Sequence, residues 1–312
     1  MAAFDVNLPR TKRRSLFWDG LFRLFKEKPL GAFGLVVALL FLLGGIFANF
    51  IAPYSPNETH IMDKLAPLSS KYILGTDNLG RDQLSRIIYG ARVSYFIGLG
   101  ASFINVIVAG LLGIISGYMG KYFDLIAQRF VDIAISFPGL ILLILVVSTI
   151  GSGLWQITIT LGIIGGILWS RVVRSAVLVT REAIYINAAV AAGSSSGRTI
   201  LRHIIPNIMP VLIIIFSVSI AGNILAEAGL SFLGLGIQPP TASWGYMLSS
   251  NGTTYMLQAW WLAIFPGLAI VLVVFSINIF GDAVRDLIDP RLRSGVGSYK
   301  ADNKKKIEKG RD

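Results

Sequence analysis

The sequence predicts an all-α integral membrane protein with six transmembrane helices and both chain ends on the same side of the membrane. Three observations lead there. Of 312 residues, 54% are hydrophobic and only 14% charged, with a mean hydropathy of +0.68, whereas a soluble domain carries roughly 25% charged residues. The uncharged runs are long: nothing from Pro29 to Asn57, or from Ile133 to Ser170, bears a charge. The remaining charge is lopsided. With both termini in the cytoplasm, 23 of the 28 Lys and Arg fall on that side and five on the other, the bias that keeps basic loops inside. The net charge of +11 is thus an orientation signal and points away from nucleic acid as a partner.

Residues 1–29 form a basic cytoplasmic segment with Arg10, Lys12, Arg13, Arg14, Arg23, Lys26 and Lys28. Leu16, Phe17, Leu21, Leu24 and Phe25 share one helical face, which predicts an interfacial helix. The following apolar run is too long for a secretory signal peptide, and no small-residue cleavage site follows it. The six-span domain covers 30–292. Its first span, 30–51, has enough apolar length for a hydrocarbon core of about 30 Å and ends at Pro53 and Pro56. A polar segment, 53–92, lies outside. Span two, 93–118, carries Gly98, Gly100, Gly110, Gly113 and Gly117, small residues that let helices approach closely in lipid.

The 38 uncharged residues from Ile133 to Ser170 suffice for two crossings at about 1.5 Å per residue. Gly151-Ser152-Gly153 is the turn between them, giving spans 133–150 and 154–173. Pro138 is expected to kink the first, and Arg171 and Arg174 to snorkel at the end of the second. Span five, 208–230, carries Asn223 and Glu227 one turn apart on one face. Span six is 259–280. Trp244, Trp260 and Trp261 are expected in one interfacial aromatic belt. The tail, 293–312, is charged, Lys-rich and expected to be disordered.

Several function classes are excluded. The chain has no Cys, hence no disulfide and no thiolate metal site. His60 and His203 are its only histidines and lie far apart. No phosphate-binding GxxxxGK[ST] loop occurs, so an ATPase would be a separate chain. An intramembrane hydrolase would want a His/Asp or Ser/Lys constellation at depth, and none is present. An ion-driven transporter would usually carry an ionisable group at mid-membrane or an internal repeat, and Glu227 falls at the outer end of its span. A purely structural membrane subunit stays open on residues alone.

The most informative stretch runs from Arg181 to Pro210, polar and basic between two apolar regions. Residues Glu182 to Ala192 are Ala-rich and predict a short helix. Gly193 stops it at a position that favours a left-handed residue. Ser194 to Gly197 form a turn, and a second helix starts near Arg198. This unit reads either as a docking element for a soluble partner or as an amphipathic surface helix between two spans. Ala188-Ala189, Gly193 and Ile204-Ile205-Pro206 resemble the EAA loop of bacterial ABC-importer permeases, that family's coupling helix, which sits in a groove of the ATPase subunit. The family's leading Glu is Asn187 here.

Three more motifs follow in the family's order. Leu74 to Arg92 is similar to LGTDxxGRDxxSRxxxGxR of the peptide/nickel permeases. Glu227 to Gly245 is similar to ExGLSFLGLGxxPPxxSWG, and Gly281 to Leu292 to GDxxRDxxDPRL. Together they cover the chain from about Leu30 to Leu292. The resemblance implies a type I ABC-importer permease with a cytoplasmic coupling helix, the DppC/OppC-type subunit of a binding-protein-dependent importer for dipeptides, oligopeptides or nickel. It implies a homologous DppB/OppB-type permease, two ATP-binding subunits that hold ATP and Mg, and an external solute-binding protein. The setting would be a bacterial or archaeal cell membrane. No catalytic or metal residue, and no cofactor, is expected in this chain.

By the same resemblance Glu182, Asn187, Ala188, Ala189, Gly193, Arg198 and Pro206 form the ATPase-coupling set. The external loop motif is Gly75, Thr76, Asp77, Gly80, Arg81 and Asp82, which either folds back on itself or meets the binding protein. Asn223 and Glu227 are candidates for the mouth of the path. Glu227 is expected at the outer interface, either tied to an amide in Gly229–Gly236 or to Arg81, or touching the positive end of a cargo.

Overall fold

The computed structural model describes residues 16–288. The basic residues Arg10 to Arg14, the Asp289-Pro290-Arg291 ending and the tail 293–312 lie outside the described residues. The elements are α1 (Leu16–Glu27), α2 (Pro29–Ile46), α3 (Ala48–Ile51), α4 (Gln83–Met119), α5 (Lys121–Ser136) and α6 (Gly139–Ile150). There follow α7 (Leu154–Arg181), α8 (Ile184–Ala191), α9 (Ser196–Thr199), α10 (Ile205–Phe232), α11 (Trp244–Tyr246) and α12 (Trp261–Ile288). Five helical runs, α2, α4, α7, α9 with α10, and α12, are long and apolar enough to cross a membrane, and the bent pair α5–α6 supplies up to a sixth.

That pair corrects the expected span 133–150. Helix α6 has 12 residues, or about 18 Å at 1.5 Å each, short of the ~30 Å core. It meets α5 at a bend of 94°. Pro138 makes the break by lacking an N–H and forcing its predecessor out of the helical region. Phe137 accordingly sits at φ −92, ψ 138.

The second span is also longer than expected. Helix α4 begins at Gln83 because Asp82 caps it, its carboxylate accepting from Ser85 N and Ser85 Oγ, both at 2.7 Å. An N-cap carboxylate satisfies amides that the helix itself leaves free. The polar stretch 83–92 is therefore helix, and the loop before it ends at Asp82.

Helix α7 likewise runs past 173 to Arg181. Arg174 does not snorkel: its Nε and Nη2 grip Asp124 of α5 at 2.6 and 2.5 Å, and Arg171 pairs with Asp132. These pairs hold α5 against α7, since a charge near lipid finds its counter-charge before it finds water.

Small residues set the packing. A Cβ on Gly113 or Gly117 of α4 would lie 2.7 Å or 2.9 Å from Val173 Cβ or Val177 Cβ of α7. In return, Gly162 and Gly166 of α7 admit Ile104 and Val108 of α4. Lipid offers no hydrophobic drive for helix pairing, so close backbone approach supplies the attraction. The bundle has two ends. One carries the loop 52–82, Gly151–Gly153 and the segment 233–260. The other carries Lys28, Gly120 and residues 182–204.

Trp244 and Trp261 depart from the expected aromatic belt. Trp244 is fully buried, and its Nε1 donates to Ile87 O at 2.9 Å. Trp261 is also buried and donates to Thr76 O. Of the three, Trp260 is the exposed one. The two buried indoles use the room left by Gly90 and Gly75, where a Cβ would lie 2.6 Å and 2.7 Å from ring atoms.

Candidate functional site

The expected coupling stretch is a short helix held at one point. Helix α7 ends at Arg181, and α8 follows with eight residues. Gly193 closes α8 at φ +85. Its N–H donates to Val190 O at 2.9 Å, and Ser194 N–H donates to Ala189 O at 3.0 Å. These paired bonds form a Schellman cap, which needs a left-handed residue at Gly193. Ser195 then leads into α9 and a π-turn, Ile200–Ile204. Pro206 sits in the first turn of α10, where its missing N–H costs little.

Of the α8 side chains only Ile186 is buried. It joins Val173 and Val177 of α7 with Ile204 and Ile208 in one apolar cluster. Glu182, Asn187, Ala188, Gly193, Arg198 and Pro206 are exposed, and Ala189 is half-buried. Ile184 is 87% exposed, and Tyr185 and Val190 about half exposed. A groove of about 560 Å³ separates α8 from the turn between α4 and α5, lined among others by Tyr118, Tyr122, Arg181, Asn187 and Val190. Sequence reasoning missed this groove. The signal that could have found it is the glycine-bearing stretch from Gly117 to Asp124, whose Gly120 and Lys121 both take positive φ, 63° and 47°. Arg181 Nη1 holds that turn by donating to Tyr118 O at 3.0 Å.

At the opposite end, the motif 74–82 spends its polar groups on its own loop. Asp77 accepts from Leu79 N at 2.9 Å, Arg81 N at 3.0 Å and Arg81 Nε at 2.6 Å. Thr76, Asp77 and Asp82 are buried. Gly80 takes φ +75, and a Cβ there would fall 1.9 Å from His60 O, so two parts of the loop touch through this glycine. Beside them Lys71 and then the Tyr72 hydroxyl donate to Asp63 and hold its carboxyl below the usual carboxylate range.

Glu227 corrects an expectation. It is not at a wet interface and its partner is neither Arg81 nor a backbone amide. It is fully buried, and Oε1 accepts from Ser231 Oγ at 2.7 Å and Ser243 Oγ at 2.9 Å. Among the described residues its Oε2 has no hydrogen-bond partner, and Arg81 pairs with Asp77 instead. The cause is the segment 233–247, which folds back over the end of α10. Gly245 packs so closely on Ala228 O that a Cβ would lie 2.2 Å away. Asn223 is buried as well and donates to Ser102 Oγ of α4 at 3.0 Å. Both side chains face helix packing and not an opening. Among the described residues no group of His, Asp and Glu could hold a metal ion.

Comparison with known proteins adds the family. The model of the family described as "binding-protein-dependent transport system inner membrane component" matches residues 109–294, and that of the "N-terminal TM domain of oligopeptide transport permease C" matches 16–67. A dipeptide transport system permease protein DppC of Alkalihalophilus pseudofirmus is 38% identical over 277 residues, covering 89% of this chain and 91% of the relative. A di/tripeptide transport system permease protein DppC of Pseudomonas aeruginosa is 39% identical over 300 residues, covering 94% and 97%. With its all-helical multi-span fold and these matches, the chain belongs to the inner-membrane permeases of peptide ABC importers, of the DppC/OppC type.

Proposed function

We propose that this chain forms half of a translocation path for di- and oligopeptides and takes its drive from separate ATP-binding subunits through residues 182–195. A homologous permease supplies the other half, and a solute-binding protein delivers cargo at the end that carries loop 52–82. ATP and Mg belong to the partner ATPases. Both termini and α8 lie in the cytoplasm, a reading supported by the distribution of basic residues. The peptide cargo rests on the names borne by the relatives.

The observation that carries this reading is the way α8 is held. It presents an exposed face, yet its single buried residue, Ile186, sits in the cluster shared by α7 and α10. A push on α8 as an ATPase dimer closes is therefore passed to two long helices at once. Alternating access then follows as a rigid-body rearrangement between two packed states.

Two measurements test it. Hydrolysis of ATP by the purified assembly should rise several-fold when loaded binding protein is added, and an assembly lacking this chain should show no such rise. For the orientation, Asn57→Cys should react with an impermeant thiol reagent in intact cells while Ser194→Cys reacts only after permeabilisation. The opposite labelling pattern would overturn the assignment of sides.

A further inference from the structure

Arg92 has no role in the reading above. It stands on α4 beside the last turn of α2, its Nε donating to Gly45 O at 3.0 Å and its Nη2 to Ile46 O at 3.1 Å and Asn49 Oδ1 at 3.4 Å. Tyr89 lies one turn earlier, its ring centroid 5.4 Å from the guanidinium carbon and its hydroxyl bonded to Asn49 Oδ1 at 3.0 Å. No ion pair is formed by Arg92 among the described residues, and the residue is exposed. The 18 residues of α2 span about 27 Å, close to the ~30 Å hydrocarbon core, so its last turn marks the headgroup level. An arginine and a tyrosine at that level form the collar expected at a lipid interface.

Beneath the guanidinium runs a groove of about 360 Å³ between α2 and α4, with Leu42 and Ile46 on one wall and Phe96, Leu99 and Gly100 on the other. Residues 92, 96, 99 and 100 fall on one stripe of α4, and the stripe descends about 12 Å into the apolar layer. Phe96 stacks edge-to-face on Trp155 with ring centroids 5.0 Å apart, which raises that wall further. A smaller trough of about 190 Å³ between the same helices, lined by Leu40, Phe41, Gly44, Ile87, Ile88 and Ala91, has no charged residue.

We propose that Arg92 and the groove beneath it bind one anionic glycerophospholipid from the leaflet at the loop 52–82 end. The headgroup phosphate lies on the guanidinium, and one acyl chain lies between α2 and α4. The unpaired cation selects the phosphate, and the apolar groove selects the chain. Among the described residues no carboxylate pairs with Arg92 to offset its charge, so a net-negative lipid is favoured over a zwitterionic one. A basic side chain at a membrane surface strengthens binding of an anionic lipid by about fivefold.

Native mass spectrometry of the purified full-length chain tests this, with phosphatidylglycerol and phosphatidylcholine of identical acyl chains titrated separately. The chain should bind phosphatidylglycerol at least about fivefold tighter than phosphatidylcholine. Arg92→Gln should bring the two close to parity, and Arg92→Lys should keep most of the preference. Leu99→Trp fills the groove but leaves the guanidinium, and it should release the bound lipid while the melting temperature stays near that of the parent. Equal binding of both lipids by the parent, or an unchanged preference in Arg92→Gln, overturns the proposal. In the assembled transporter, Ile46→Cys carrying a thiol-linked benzophenone should cross-link on irradiation to phosphatidylglycerol. A cross-link to the second permease subunit in its place shows that a protein covers the groove, and the proposal fails.

Discussion

Gly193→Val is expected to cut peptide uptake about tenfold or more while leaving membrane insertion and assembly intact. Helix α8 has eight residues, well below the about 12–15 that an isolated helix needs to persist in water. It keeps its shape through its cap and through Ile186. The cap requires φ +85 at Gly193, a region that costs an L-residue about 1–2 kcal/mol and a β-branched one more. Among the described residues no atom lies within 4 Å of a Cβ built there, so the variant suffers from backbone strain and not from a clash. One to two kcal/mol changes a conformational ratio by roughly 5–30-fold, enough to leave α8 mostly misplaced. Gly193→Asn tolerates positive φ and should keep most of the uptake. Uptake per assembled complex, with ATP hydrolysis measured alongside, decides the matter: hydrolysis that persists without transport marks uncoupling. Normal uptake by the Val variant would remove α8 termination from the mechanism.

That cap was legible in the sequence because a Schellman motif is local, and a glycine after an Ala-rich run is its signature. The uncharged runs were legible for the same reason, since a membrane reads composition along the chain. What was lost depends on partners far away in sequence. Asp124 and Asp132 meet Arg174 and Arg171 of α7, so the run that looked like one span from Ile133 begins in α5 and continues, beyond a bend of 94°, in α6. Trp244 looked like a belt residue because tryptophans near span ends commonly are. Nothing in its neighbourhood showed that Gly90, on another helix, would leave room for its ring. Asp82 is a residue type that favours a helix N-cap, but the motif context drew the segment as loop.

Glu227 should tolerate Gln and fail with Ala. Its Oε1 serves two buried hydroxyls, Ser231 Oγ and Ser243 Oγ, and Ser231 Oγ in turn accepts from Ile237 N at 3.0 Å. This side chain therefore ties the returning segment to α10. Alanine strands two donors, each at about 1–3 kcal/mol for a buried unsatisfied group, and leaves a cavity as well. A loss on the order of 3–5 kcal/mol is a large part of the usual 5–15 kcal/mol of stability, and the yield of folded, assembled chain should drop accordingly. Glutamine keeps the accepting oxygen and the volume. It places an amide nitrogen where Oε2 now stands without a partner, which costs about one unmade hydrogen bond, ~1 kcal/mol. Its melting temperature should fall by a few degrees, with uptake per complex unchanged for cationic and neutral peptides alike. A double-mutant cycle with Ser243→Ala isolates the tie: after Glu227→Ala the serine substitution should cost almost nothing, whereas alone it should cost about 1 kcal/mol or more. Additive losses would show that the two residues act separately. A selective loss of cationic peptide uptake in Glu227→Gln would return the residue to the cargo path despite its burial.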